Sequence, residues 1–150
     1  MLTRLAILFS VCLAAAGQVT PAVNTPMAQF PGRVLLGVLK GANFNSTSDQ
    51  AIPITGAGKY VITGIRVTNA SASLTLAVGG FYAAASKTTA LVGAGQVYTA
   101  LTATSKYLDC TLAALVGTDV RTESTLYLSL TVAQGSAATA DVYIFGEVLP

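Results

Sequence analysis

Leu126-Tyr127-Leu128-Ser129-Leu130-Thr131-Val132 is the stretch that decides the fold. Aliphatic side chains occupy every second position, with Tyr127, Ser129 and Thr131 between them. Successive side chains of an extended chain point to opposite faces of a sheet, so a period of two is the strand period. One face of this strand is apolar; the other is polar apart from one aromatic ring. The pattern recurs on both sides. Val142, Ile144 and Val148 share one side of the last segment, opposite Asp141, Tyr143, Phe145 and Glu147. Val61, Ile65 and Val67 share one side of residues 59–69, and Leu74, Leu76 and Val78 alternate in the next segment. β-branched and aromatic residues suit such pleated, half-buried surfaces.

Turn-forming chemistry falls between these runs, at Asn43-Phe44-Asn45-Ser46, Gly56-Ala57-Gly58, Asn69-Ala70-Ser71, Gly117-Thr118-Asp119 and Gln134-Gly135-Ser136. The punctuation predicts strands over residues 33–40, 50–54, 59–69, 74–84, 90–99, 106–112, 124–132 and 139–148. No part of this body carries a long apolar period of 3.6, although Ala-rich 82–86 and 111–115 have room for short helical turns. The expectation is an all-β fold: an antiparallel β-sandwich of about eight strands, jelly-roll-like in its winding, spanning residues 33–150 as one domain.

Residues 1–32 read differently. Met1-Leu2-Thr3-Arg4 is a basic start, residues 5–16 are apolar, and Ala14-Ala15-Ala16-Gly17-Gln18 offers small residues for cleavage, as in a secretory signal. The apolar run is short for a membrane span. The alternatives are an assembly arm that packs on a neighbouring subunit, or a start codon placed too far upstream. Pro21, Pro26 and Pro31 make the following stretch an extended arm or linker.

Only 9% of the 150 residues are charged while 53% are hydrophobic, against about 25% charged in an ordinary soluble domain. A surface with so few ionised groups is expected to be covered by copies of the chain, a larger shell or a cell envelope. Net charge is +2 and the eight basic residues are scattered, which argues against nucleic acid as a partner. Histidine is absent, so Ser-His-Asp and Cys-His arrangements are excluded and zinc lacks its usual ligands. The six carboxylates, Asp49, Asp109, Asp119, Glu123, Asp141 and Glu147, show no spacing that forces a catalytic pair, and Asp49 and Asp119 read as turn formers. Thr55-Gly56-Ala57-Gly58-Lys59-Tyr60 lacks the earlier glycine and the Ser or Thr after the lysine that a phosphate loop needs, so it reads as a hairpin turn. No alternating run of acids suggests a calcium loop. Asn45-Ser46-Thr47 and Asn69-Ala70-Ser71 match the glycosylation triplet but read as turn asparagines. Cys110, on the same side as Leu108 and Leu112, reads as a small core residue. The expectation is a non-enzymatic protein with no catalytic residue, cofactor or metal, and no membrane span in its body.

Aromatic residues gather on the side that alternation gives to solvent: Tyr107, Tyr127, Tyr143 and Phe145. Tyrosine joins a large apolar ring to a polar tip and suits interfaces. Either the domain's own loops or arm cover this row, or an oligomer or shell contact does; the second reading makes these four contact residues. Exposed tyrosines also serve as sugar platforms, although tryptophan is absent.

Gly37-Val38-Leu39-Lys40-Gly41-Ala42-Asn43-Phe44-Asn45, Asp49-Gln50-Ala51-Ile52-Pro53-Ile54, Val67-Thr68-Asn69-Ala70-Ser71, Gly79-Gly80-Phe81-Tyr82 and Ala140-Asp141-Val142-Tyr143-Ile144-Phe145-Gly146 together give a body that resembles small structural proteins of tailed bacteriophages. The resemblance is in style, that of Ala/Thr/Gly-rich β-proteins. It is to the capsid cement, or decoration, proteins, which include jelly rolls. What it implies is a dimer or trimer on the outer capsid surface that staples neighbouring major capsid protein subunits. The alternative is a secreted or surface-exposed β-sandwich that binds glycan or protein, including a phage tail or receptor-binding component.

Overall fold

The computed structural model describes residues 33–150 apart from Ala57 and Ala103. The expected signal-like segment and arm, residues 1–32, lie outside the described residues. Eight strands follow one another: β1 (Val34–Asn43), β2 (Gln50–Pro53), β3 (Lys59–Thr68), β4 (Val78–Ala84), β5 (Thr88–Val92), β6 (Tyr107–Asp109), β7 (Thr125–Val132) and β8 (Thr139–Leu149). The first sheet has the order β1-β8-β3-β6 and the second β2-β7-β4-β5, with antiparallel pairing throughout. The pairings β1·β8, β2·β7, β3·β6 and β4·β5 are nested one inside the next. The fold is an all-β sandwich, as the alternation predicts, and no described residue is helical.

The apolar sides of both sheets meet in one core. Leu36, Ile62, Ile65, Val67, Val142 and Ile144 enter it from the first sheet, and Ile52, Phe81, Leu91, Leu126, Leu128 and Leu130 from the second. Each fully buried aliphatic side chain of this kind contributes roughly 1.5–3 kcal/mol. Connections add to the core as well. Phe44 and Tyr98, both fully buried, meet edge to face with ring centres 5.0 Å apart, and the Tyr98 hydroxyl donates to the Gly79 carbonyl at 3.3 Å.

Several expected spans change at their ends. The alternation of Leu74, Leu76 and Val78 enters a strand only at Val78. Leu74 donates its backbone N–H to the Leu101 carbonyl, while the N–H groups of Leu76 and Ala77 donate to the buried Gln134 side chain at 3.0 and 3.2 Å. Those backbone groups are satisfied without a ladder, and Leu76 is left 59% exposed. The expected strand 90–99 ends at Val92, before Gly93, and 106–112 shrinks to β6. Residues 82–86 and 111–115 are strand and turn, not helix. A bulge between Ile62 and Gly64 inverts parity within β3, so Tyr60 and Ile62 precede it on the core side and Ile65 and Val67 follow it there. Val61, expected with Ile65 and Val67, therefore faces outward. Val148, expected beside Val142 and Ile144, is 38% exposed near the end of β8.

Candidate functional site

A sandwich has two outer faces, and the structure divides the four expected contact residues between them. Tyr107, Tyr143 and Phe145 lie on the first sheet; Tyr127 lies on the second.

On the first sheet, Tyr143 of β8 stands between Val38 of β1 and Arg66 of β3, and Phe145 stands between Leu35 and Gly64. Arg66 in turn faces Asp109 of β6, and Thr68 faces Tyr107. Being two residues apart on one strand, Tyr143 and Phe145 share a face and stack, with ring centres 6.4 Å apart and planes inclined by 16°. A cation covers each ring. The Arg33 guanidinium lies 4.7 Å from the Phe145 ring centre, the Lys40 ammonium 4.5 Å from that of Tyr143, and the Arg66 guanidinium 4.8 Å from that of Tyr107. Gly64 makes the first of these arrangements possible, since a Cβ there would overlap the Arg33 guanidinium.

Arg66 and Lys40 are tied to acids. Arg66 grips Asp109 through Nε and Nη2 at 2.6 and 2.8 Å. Lys40 bonds Asp141 at 2.9 Å and also the Tyr143 hydroxyl. Asp141 accepts further bonds from the Asn69 amide and the Gly41 N–H, each at 3.0 Å. The guanidinium holds the Asp109 carboxyl below its ordinary range. Partial burial pushes the Asp141 carboxyl up, but the bonds from Asn69, Gly41 and Lys40 outweigh it and leave the group below its ordinary range. Its hydrogen bonds to Tyr143 and Asp141 raise the Lys40 ammonium above its own.

These contacts add little to folding, because the cations stay in water, which screens both the ion pairs and the attraction to the rings. They do fix long side chains that would otherwise be disordered. Immobilising such a side chain on binding costs about 0.5–1.5 kcal/mol in general, and here much of that ordering is already in place. The face remains open: Tyr107 is 61% and Leu35 49% exposed. Between Tyr107 and the Tyr143–Phe145 pair runs a groove of about 390 Å³, lined also by Arg66, Thr68, Asn69 and Lys106.

The outer face of the second sheet is built differently. Tyr127 stands directly between Ala51 of β2 and Tyr82 of β4. Tyr82 is only 2% exposed, and Ser129, two residues from Tyr127 on the same side of β7, is fully buried. The 44–49 connection covers this face. The Thr47 carbonyl accepts from the Ser129 hydroxyl at 3.5 Å, and Asp49 accepts from the Ser86 N–H at 2.6 Å in the turn between β4 and β5. The two outer faces thus differ: on the second sheet the 44–49 connection lies against Ser129 beside the half-buried Tyr127, and on the first Tyr107 is exposed while Tyr143 and Phe145 are half-buried.

The remaining polar residues serve the framework. Asp119 and Glu123 lie 3.6 and 3.3 Å from Arg121, whose backbone exchanges both hydrogen bonds with Tyr60. The Tyr60 hydroxyl donates to the Glu123 carbonyl at 2.8 Å, and burial pushes its pKa up to about 12. Burial also pushes the Cys110 thiol up to about 12, which leaves it protonated near neutral pH. Asn69 takes φ of 53°, and the Asn43 side chain accepts from the Asn45 N–H, both as turn formers do. Among the described residues no three His, Cys, Asp or Glu side chains are grouped to hold a metal ion, and no helix is long and apolar enough to cross a membrane.

The sequence reading placed Asp141 on the side of Tyr143 and Phe145 but gave it no role there, and it missed Arg33, Lys40, Arg66 and Asp109 as parts of this face. The signal was present in the alternation: Asp141 shares parity with Tyr143 and Phe145, and Asp109 with Tyr107. No protein-family model, no curated protein and no solved structure matches the chain.

Proposed function

We propose that this protein is a non-enzymatic structural component of a virion: a cement protein that sits on the outer capsid surface, as a dimer or trimer, and staples neighbouring major capsid protein subunits. The observation that carries the reading is the outer face of the first sheet, where three aromatic rings are each covered by a cation and ion pairs hold the cations over Tyr143 and Tyr107. Tyr and Arg are the residue types that dominate binding energy at protein interfaces. The low charge of the chain supports contact with a broad protein surface. The nested pairings of β1·β8 through β4·β5 support a jelly-roll reading, because rolling up one long hairpin of four strand pairs produces that order.

The mechanism is mass action. A protein that binds the assembled shell and not its dissociated subunits stabilises the shell by about 2.7 kcal/mol per site at a concentration one hundred times Kd. Many identical sites multiply the effect. The test is to add the purified protein to undecorated shells of the virus that encodes it. Saturable cosedimentation with a rise in shell melting temperature is the expected result. Absence of binding rejects the reading.

The exposed Tyr107 and Leu35 of the first sheet also fit a second reading, a secreted or surface-exposed module that binds glycan or protein, as a phage tail or receptor-binding component does. Retention on immobilised host glycans without any affinity for shells would select it.

A further inference from the structure

We propose that the groove between Tyr107 and the Tyr143–Phe145 pair receives a segment of a partner protein in which a carboxylate side chain adjoins an apolar one, the carboxylate meeting Arg66 and the apolar group meeting Tyr107. This deepens the cement reading and rests on it for the identity of the partner.

The groove walls stand on β6 and β8, with β3 between them, and the groove runs obliquely across β3, because Tyr107 faces Thr68 whereas Tyr143 faces Arg66 two residues away. Charge selects the occupant. The lining includes the Arg66 guanidinium and no carboxylate. The nearest acids are already engaged, Asp109 with Arg66 of the groove itself and Asp141 with Lys40, Asn69 and Gly41. A guanidinium carries five N–H donors, and Asp109 engages it at only two nitrogens, Nε and Nη2. Asp109 itself demonstrates that a carboxylate beside this groove reaches Arg66. The short strand that carries it, β6, is the edge of the first sheet, so a segment can enter over that edge.

The same geometry disfavours a sugar. Stacking on a pyranose ring requires an open aromatic face. Tyr143 and Phe145 cover one another and are capped by Lys40 and Arg33, while Arg66 takes one face of Tyr107.

The experiment is a titration of the isotopically labelled full chain, followed by NMR, with the acetylated and amidated tetrapeptide Asp-Phe-Asp-Leu. Expected are shifts confined to the Arg66 Nε–H, the Asn69 side-chain amide and residues 107–109, with an Asn-Phe-Asn-Leu counterpart binding about tenfold or more weakly. Arg66→Gln should lose the response, and Lys87→Gln, in the turn between β4 and β5, should keep it. Asp109→Asn separates a binding role for Arg66 from a structural one. Both Arg66→Gln and Asp109→Asn break the ion pair, but only Asp109→Asn leaves the guanidinium in place and removes its competitor, so it should tighten peptide binding severalfold.

Equal binding of the two peptides, shifts elsewhere, loss of binding in Asp109→Asn, or tighter binding of a glucuronate tetrasaccharide would each overturn the proposal. Shell binding without peptide binding removes the groove assignment alone. Peptide binding without shell binding supports the groove and removes the cement reading.

Discussion

The two outer faces of this sandwich begin from the same sequence pattern and end in opposite conditions. Tyr127 and Tyr143 each sit at the solvent parity of a strand whose other side is core. On the second sheet the 44–49 connection folds back over the face, burying Tyr82 and Ser129. On the first sheet no connection among the described residues covers the rings, and cations and ion pairs decorate them instead. An aromatic at solvent parity therefore carries no binding information until the path of the neighbouring connection is known. A ring under a loop contributes to stability, whereas the exposed Tyr107, with Arg66 over one face, leaves the rest of its surface to solvent.

The heaviest loss should fall on the covered face. Tyr82→Ala should cost about 3–5 kcal/mol, the range for truncating a buried aromatic, with shell affinity unchanged once the variant is folded. Denaturant unfolding measures the loss. Tyr107→Ala, on the open face, should stay within about 0.5 kcal/mol of wild type, as surface substitutions do. A loss of several kcal/mol at Tyr107 would erase the distinction between the faces.

A second effect comes from pH. Asp49, Asp109 and Asp141 all have depressed carboxyl pKa values, Asp49 chiefly through its bond from the Ser86 N–H. A depressed acid contributes stability above its unfolded value, about 3.9, and loses it as pH falls through the folded value. Stability should therefore decline only below about pH 4, and gently, because these carboxylates remain in contact with water. Tyr60 and Cys110 are raised, both to about 12. Their contribution is complete below the unfolded values, about 10 and 8.5, and is lost as pH climbs toward the folded values. The alkaline limb should be the steeper one. In a Cys12→Ser background, Cys110 should react with a thiol reagent at the rate of unfolding, and prompt labelling of the native protein would contradict its burial.

The framework was legible in the sequence, and the irregularities were obscure. Strict alternation in residues 126–132 and 139–147 placed β7 and β8 and their core sides, because period two has one structural meaning. The bulge at Ile62/Gly64 left no trace in hydropathy, and only a glycine inside an apolar run marked it. The run Leu74-Thr75-Leu76 imitates a strand in spacing, yet its backbone hydrogen bonds end on Leu101 and Gln134, which local pattern cannot foresee. For the site, Tyr107, Tyr143 and Phe145 were legible as rings at solvent parity. Tyr127 was indistinguishable from them, since the cover over its face is supplied by residues about 80 positions earlier in the chain.

The weakest consequence concerns strain beside the covered face. Thr89, in β5, holds φ of 56°, which a β-branched residue adopts at a cost of about 1–2 kcal/mol. Glycine removes that strain and returns about 0.5–1 kcal/mol through the entropy of the unfolded chain. Thr89→Gly should therefore raise stability by about 1 kcal/mol or less and leave shell binding untouched, which a melting curve and a binding isotherm together check.

The decisive experiment pairs one substitution on each face, Tyr107→Ala and Tyr127→Ala, and determines for both the shell affinity and the unfolding free energy. Tyr107→Ala should weaken shell binding by about tenfold or more, about 1.4 kcal/mol, with stability held, and Tyr127→Ala should lower stability with shell affinity held. Equal loss of affinity in the two variants, or none in either, is incompatible with a binding face on the first sheet and a structural face on the second.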